Sequence, residues 1–295
     1  MIKAHLNIEA LLLEQLEDSL YEIAPHNWVL YFNHSKNTSY LEGYFDSSLD
    51  AEESLKKLFS TLQMIEVPKL LITKLEEEDW VNSYKKHFHP WSIGCFHWVP
   101  IWCKNSYVLP EDNFRLYLDP GMAFGTGNHE TTKLCLDEIV ELNEKIPNNL
   151  KQNFLDIGCG SGILALTASI LGFEGILAID NDPLAIKVSQ ENAELNDIKK
   201  VNFKSDDLDT LTGNKKYNLV VANIQADILQ KNAETLITLL NNDGILILSG
   251  ILSKECPKLE KYFKLTLKML GINSKTVVKK MNDWSLIRVH LINSN

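Results

Sequence analysis

Apolar and polar residues alternate over residues 2–8, a period of two that predicts a half-buried strand, and the leucines of 9–23 then recur at helical spacing. Residues 28–32 and 40–45 read as further strands. A second helix is expected over about 51–63, with Asp50 and, three residues on, Glu53 marking its start, and 69–75 closes the run as a strand. The order βαββαβ predicts a ferredoxin-like α+β unit over residues 1–75. Residues 76–105 read as a connector, with a short helix through Trp80, Tyr84 and Lys85 followed by an extended aromatic segment. Trp91, Phe96, Trp98 and Trp102 crowd there between Pro90 and Pro100. Packing of these rings against a domain explains them better than a ligand cage does.

From 106 to 295 the pattern becomes one of alternating strands and helices. Strands are expected at 153–157, 177–180, 201–204, 219–222, 245–248, 275–278 and 284–291, with helical stretches between most of them. That is the signature of a largely parallel α/β sheet covered on both faces. A short turn at Asn282-Asp283 separates the last two strands, which should therefore pair antiparallel.

Composition narrows the function classes. A chain of 295 residues, 45% hydrophobic and 23% charged, can build two globular domains. Its net charge of −10 argues against a broad nucleic-acid surface and suits a basic partner, for which the Glu76-Glu-Glu-Asp79 run is one meeting place. No apolar run approaches the roughly 18 residues of a membrane span, and no basic region precedes an apolar core at the N-terminus, so a cytoplasmic protein without a membrane partner is expected. The five cysteines form no C-x-x-C pair and are expected to be reduced thiols. Neither metal-ligand spacing nor a Ser/His/Asp set is readable.

The candidate chemistry lies in Phe154-Leu-Asp-Ile-Gly-Cys-Gly-Ser-Gly162, an apolar strand ending in a carboxylate and a glycine-rich turn, with Asp180 closing the next apolar run. Strand, glycine turn, helix, strand and acidic residue is how a doubly wound domain holds a nucleoside cofactor, the acidic side chain accepting from ribose hydroxyls. Gly160-x-Gly162-x-x-Ala165 also fits a dinucleotide fingerprint, which keeps an NAD-dependent oxidoreductase in view. Asp156 favours S-adenosylmethionine, because a carboxylate is ill placed beside a pyrophosphate and well placed beside an amino group and a sulfonium. Cys159 reads as a small turn filler rather than a nucleophile, and His129, beside a helix start, as structural rather than a general base.

Four segments, Leu118-Asp-Pro-Gly-Met-Ala-Phe-Gly-Thr-Gly-Asn-His-Glu-Thr-Thr132, Leu155 to Leu164, Ile179-Asp-Asn-Asp-Pro183 and Val221-Ala-Asn-Ile224, together resemble the ribosomal protein L11 methyltransferase family. The resemblance is closest over 115–250, and Trp80, Lys85, Phe88 and Pro90 extend it into the connector. It implies a Rossmann-like class I methyltransferase domain at 106–295 behind an N-terminal ferredoxin-like substrate-recognition domain. The implied cofactor is S-adenosyl-L-methionine, and the implied acceptors are lysine side chains and the N-terminal α-amine of ribosomal protein L11. A monomer without direct nucleic-acid contact is expected, and another basic protein or a small amine is the alternative acceptor. On this resemblance Thr132, Gly158, Asp180 and Asn223 fall on cofactor-contacting positions, beside Asp156 and Gly160 from the turn itself, and Asn223 is a candidate for positioning the amine. Helix capping is the other reading of Thr132, and a turn that of Asn223. Two places depart from the family pattern, both bordering the acceptor side: Asn128 replaces a threonine and Gln225-Ala-Asp227 a Leu-Ala-Gly.

Overall fold

A computed structural model describes residues 2–9, 12–13, 15–16, 19–20, 27–33, 38–62, 69–74, 88–119, 129–147, 151–211 and 215–292. The chain divides into two compact units, Met1–His87 and Phe88–Asn295.

In the first unit β1 (Ile2–Ile8), β2 (Trp28–Asn33), β3 (Thr38–Phe45) and β4 (Leu71–Lys74) form an antiparallel sheet of order β2-β3-β1-β4. This is the arrangement that the βαββαβ reading requires. The alternation of β1 turns Ala4, Leu6 and Ile8 inward, where they meet Leu16 and the apolar stripe Ala51, Leu55, Leu58 and Phe59 of helix α1 (Ser48–Thr61). That helix starts three residues before the expected position: Ser47 is its N-cap and accepts from Asp50 N at 3.2 Å, so Asp50 is the fourth and last residue of a capping motif and not its opening.

In the second unit, residues 88–105 are no connector. β5 (Trp91–Ile93), β6 (Phe96–Pro100) and β7 (Phe114–Leu118) make a three-stranded sheet of their own, order β5-β6-β7. Trp91 stacks on Trp98, and the buried Trp98 indole donates to Thr167 Oγ1 at 3.0 Å, so the rings belong to this unit's core. The expected helix near Trp80 lies outside the described residues.

The main sheet has seven strands in the order β10-β9-β8-β11-β12-β14-β13: β8 (Phe154–Ile157), β9 (Ile176–Asp180), β10 (Val201–Ser205), β11 (Tyr217–Asn223), β12 (Leu240–Leu252), β13 (Ser274–Met281) and β14 (Trp284–Leu291). Pairing is parallel from β10 to β12, and β14 is antiparallel to both of its neighbours. Period-two alternation feeds two cores. Phe154, Leu219, Val221, Ile245 and Ile247 pack under α2 (Glu130–Lys145), α3 (Ile163–Ile170) and α4 (Pro183–Leu195). Leu155, Val220, Ala222, Leu246 and Leu248 pack under α5 (Ala226–Lys231), α6 (Ala233–Thr238) and α7 (Cys256–Met269). The chain winds outward from β8 to β10 and then returns to β11, which leaves a crevice at the carboxyl ends of β8 and β11.

Candidate functional site

Register brings the site together. Ile157 lies opposite Ile179 on one side and Ala222 on the other, so the next residues, Gly158, Asp180 and Asn223, come side by side at three adjoining strand ends. Gly158, Gly160 and Gly162 hold φ angles of 71°, 51° and 78°, a region that a Cβ disfavours. Close approach adds to this at Gly158, where a Cβ would lie 2.5 Å from Ile224 Cγ2. Gly250 makes room for the same residue from the other side, since a Cβ there would lie 2.4 Å from Ile224 O.

The turn is pinned by its own carboxylates. Asp180 accepts from Gly160 N at 2.9 Å through Oδ2 and from Asp182 N at 3.0 Å through Oδ1, and each oxygen keeps a further lone pair for a ligand. Asp156 is fully buried and accepts from Ala165 N, in the first turn of α3, at 3.1 Å. Its other oxygen, Oδ1, is buried without a hydrogen-bond partner. Burial pushes the Asp156 carboxyl up to about 7; the Ala165 amide opposes this and the nearby Asp180 charge adds to it. A dinucleotide would bring its pyrophosphate to the start of α3, but the Asp156 carboxyl already occupies the Ala165 amide there. The pocket chemistry favours a cofactor that brings a donor or a positive charge.

Across the crevice Asn223 Nδ2 makes a long hydrogen bond to Thr132 Oγ1, 3.4 Å, and its Oδ1 is a second buried acceptor without a partner. Thr132 is fully buried and does not cap its helix. That role belongs to His129, whose Nδ1 accepts from Thr131 N at 3.3 Å and whose ring meets Trp284 edge to face. Burial holds the His129 pKa below its ordinary value, so at neutral pH the ring is an uncharged acceptor. Burial likewise raises the Cys159 and Cys135 thiols, which keeps both protonated. Gly121 to Gly127 and Asn128 lie outside the described residues. Among the described residues no group of three His, Cys, Asp or Glu could hold a metal ion.

Three supporting residues carried no reading from sequence. Ser249, opposite Asn223 in the β11–β12 register, donates to Thr131 O at 3.2 Å and fastens the start of α2 to β12. A polar residue ending an apolar parallel strand was a usable signal for it. Asn192 donates to Ser161 O at 3.0 Å and accepts from Asp119 N at 3.1 Å, and Asn196 pairs with both Tyr117 N and Tyr117 O at 2.7 Å. These two asparagines, one in α4 and one at its C-cap, tie the glycine turn to the end of β7, yet among the polar residues there nothing distinguishes them.

The family model for ribosomal protein L11 methyltransferase (PrmA) matches residues 13–291. The chain belongs to this family. A ribosomal protein L11 methyltransferase from Caldicellulosiruptor saccharolyticus is 36% identical over 260 residues, 85% of this chain and 81% of that protein. One from Dictyoglomus turgidum is 34% identical over 263 residues, 84% and 80% of the two chains. The crystal structure of ribosomal protein L11 methylase from Lactobacillus delbrueckii subsp. bulgaricus superposes with a TM-score of 0.60 at 30% identity, covering 70% of this chain and all of that one. The seven-stranded unit thus has the class I methyltransferase fold, with S-adenosylmethionine as its cofactor. The buried acceptors Asp156 Oδ1 and Asn223 Oδ1 fit that cofactor's donors and positive charge.

Proposed function

We propose that this protein transfers methyl groups from S-adenosylmethionine to amine nitrogens of ribosomal protein L11, namely lysine side chains and the N-terminal α-amine. The observation that carries the reading is the pair of buried acceptor oxygens, Asp156 Oδ1 and Asn223 Oδ1, on the neighbouring strands β8 and β11. Asp180 would hold the ribose hydroxyls, Gly158 and Gly160 the approach of the cofactor to the backbone, and Asp156 its donor groups. When bound, S-adenosylmethionine supplies an electrophilic methyl on a positively charged sulfur.

The acceptor must reach the site as a neutral amine. At pH 7 deprotonation costs about 4.6 kcal/mol for a lysine of pKa about 10.4 and about 1 kcal/mol for an α-amine near 7.8. Desolvation in the crevice lowers that cost, because burial without a counter-charge disfavours the ammonium form. Asn223 Oδ1 would accept one N–H and leave the nitrogen lone pair directed at the methyl. With His129 engaged as a helix cap and both nearby thiols protonated, the chain's own contribution is positioning and desolvation in place of a strong base. The N-terminal α+β unit is proposed to recognise the substrate protein.

Intact-mass spectrometry of unmethylated recombinant L11, incubated with this protein and S-adenosylmethionine, tests the reading. Methyl-sized increments that vanish with Asp180→Ala are expected. Absence of increments while the cofactor still binds would refute L11 as the acceptor.

A further inference from the structure

The chain is acidic as a whole, but its charge is unevenly spread. From Lys254 to Lys280 there are eight lysines against two glutamates and no aspartate, within a protein of net charge −10. Four of the lysines, Lys258, Lys261, Lys264 and Lys268, follow one another at helical spacing along the outer face of α7, a stripe of about 15 Å at 1.5 Å per residue. All four are exposed, while Leu259, Phe263 and Leu267 of the same helix are buried in the core. Among the described residues the stripe has one ion pair, Lys264 with Glu260 at 2.6 Å. Like charges at these spacings repel, so helix stability does not account for the pattern.

Beside the stripe runs a groove of about 480 Å³ between α7 and β13, lined by Lys264, Leu267, Lys268, Asn273, Ser274 and Thr276. β13 is the edge of the seven-stranded sheet and among the described residues pairs with β14 alone, so its outer backbone groups are available as well. Lysines on one wall, with hydroxyl, amide and backbone groups on the other, match a phosphodiester chain that also carries sugar hydroxyls. They suit a flat anionic lipid surface less well, since that has no use for a polar groove.

We propose that the α7–β13 groove binds the phosphate backbone of single-stranded RNA. The proposal is independent of which amine the crevice methylates. The net charge alone points away from nucleic acid, but binding of a backbone depends on local lysine density.

Fluorescence anisotropy with a labelled single-stranded RNA tests it. Binding at low salt should weaken as salt rises, with a log–log slope of about −3 for four phosphate contacts. The triple variant Lys261→Gln, Lys264→Gln, Lys268→Gln should bind at least tenfold more weakly with a slope reduced by about 2, while its thermal melt and its methylation of free L11 stay unchanged. An equal-charge control, Lys187→Gln, Lys199→Gln, Lys200→Gln, should stay within twofold of the parent. Equal loss in both triple variants, no RNA binding at low salt, or tighter binding to anionic vesicles or polyglutamate than to RNA would each overturn the proposal.

Discussion

Two carboxylates of the larger unit are fully buried, Glu138 on α2 and Asp156 on β8, and the fold treats them in opposite ways. Glu138 is enclosed by cations. Arg288 donates to its Oε1, and Lys279 Nζ lies 2.9 Å from its Oε2 as an ion pair while also reaching Asp137 and Glu141 at 3.0 and 2.6 Å. Hydrogen bonds from Lys145 and Lys279 draw Glu141 down to about 2 in turn. This closed network fastens α2 to the two antiparallel strands. Asp156 has a single backbone amide, an orphan oxygen and a neighbouring carboxylate. A buried charge left without a counter-ion costs several kcal/mol; Glu138 Oε2, which like Asp156 Oδ1 has no hydrogen-bond partner, lies beside the Lys279 cation, whereas Asp156 has no cation beside it among the described residues.

The largest expected effect follows from that open carboxylate. Between an ordinary pKa near 3.8 in the unfolded chain and about 7 in the fold, the native state holds a proton that the unfolded state has lost. Stability should therefore fall as pH rises through this window, by about 4 kcal/mol in total at 1.36 kcal/mol per unit, and level off above it. Urea unfolding of the parent minus that of Asp156→Asn, measured from pH 4 to 8, isolates this contribution. A flat difference would mean that Asp156 is not raised. Adding S-adenosylhomocysteine separates the second half of the claim: Asp156→Asn should bind it at least tenfold more weakly by calorimetry. Unchanged affinity would show the orphan oxygen to be unrelated to the cofactor.

The closed network should break differently. Arg288→Met leaves Glu138 buried with Lys279 as its remaining cation and is expected to cost about 3 kcal/mol in urea. Cofactor affinity per folded molecule should not change. If Arg288→Met were no less stable than Asp156→Asn, the contrast between the two carboxylates would fail.

How much of this was legible in sequence depends on whether the signal was periodic. Every main-sheet strand expected from 153 onward is present, because short apolar and β-branched runs bounded by turns and separated by helical stretches leave a wound sheet as the arrangement that buries them. The glycine turn and Asp180 were legible for a related reason, since positive φ and close backbone approach demand particular residue types. Residues 88–105 were misread because proline and aromatic residues spaced along an extended stretch resemble a linker until β7, sixteen residues downstream of Trp98 at Phe114, supplies the parallel partner of β6. The helix expected at 51–63 was placed late because Asp50-x-x-Glu53 and Ser47-x-x-Asp50 are equally good starts on paper, and the fold uses the second, with the Ser47 hydroxyl accepting from Asp50 N. Asn192 and Asn196 were invisible because a hydrogen bond across more than 70 residues leaves no local pattern.

Those asparagines give a smaller, sharper test of how the open site is held. Asn192→Ala removes both the donor to Ser161 O and the acceptor for Asp119 N, and should weaken S-adenosylhomocysteine binding by about 1 kcal/mol, roughly fivefold. Asn192→Asp keeps the acceptor and loses the donor, so its affinity should fall between the two. Equal affinities in all three proteins would mean that the turn keeps its shape without the clamp.

The smallest effect is expected where a histidine invites a catalytic reading. His129 accepts from Thr131 N with an uncharged ring, and asparagine is an equally good cap, so His129→Asn should change stability by no more than a few tenths of a kcal/mol at pH 8. As pH falls the parent must protonate a buried ring that the fold holds below its ordinary pKa, and stability from this group is lost in that direction. The variant should lose that part of the acid sensitivity. Turnover on L11 should stay within about twofold, because a general base contributes roughly a hundredfold or more and a cap contributes none. A hundredfold fall in turnover with cofactor affinity intact would make His129 the base, and deprotonation of the acceptor would then no longer rest on desolvation and Asn223 alone.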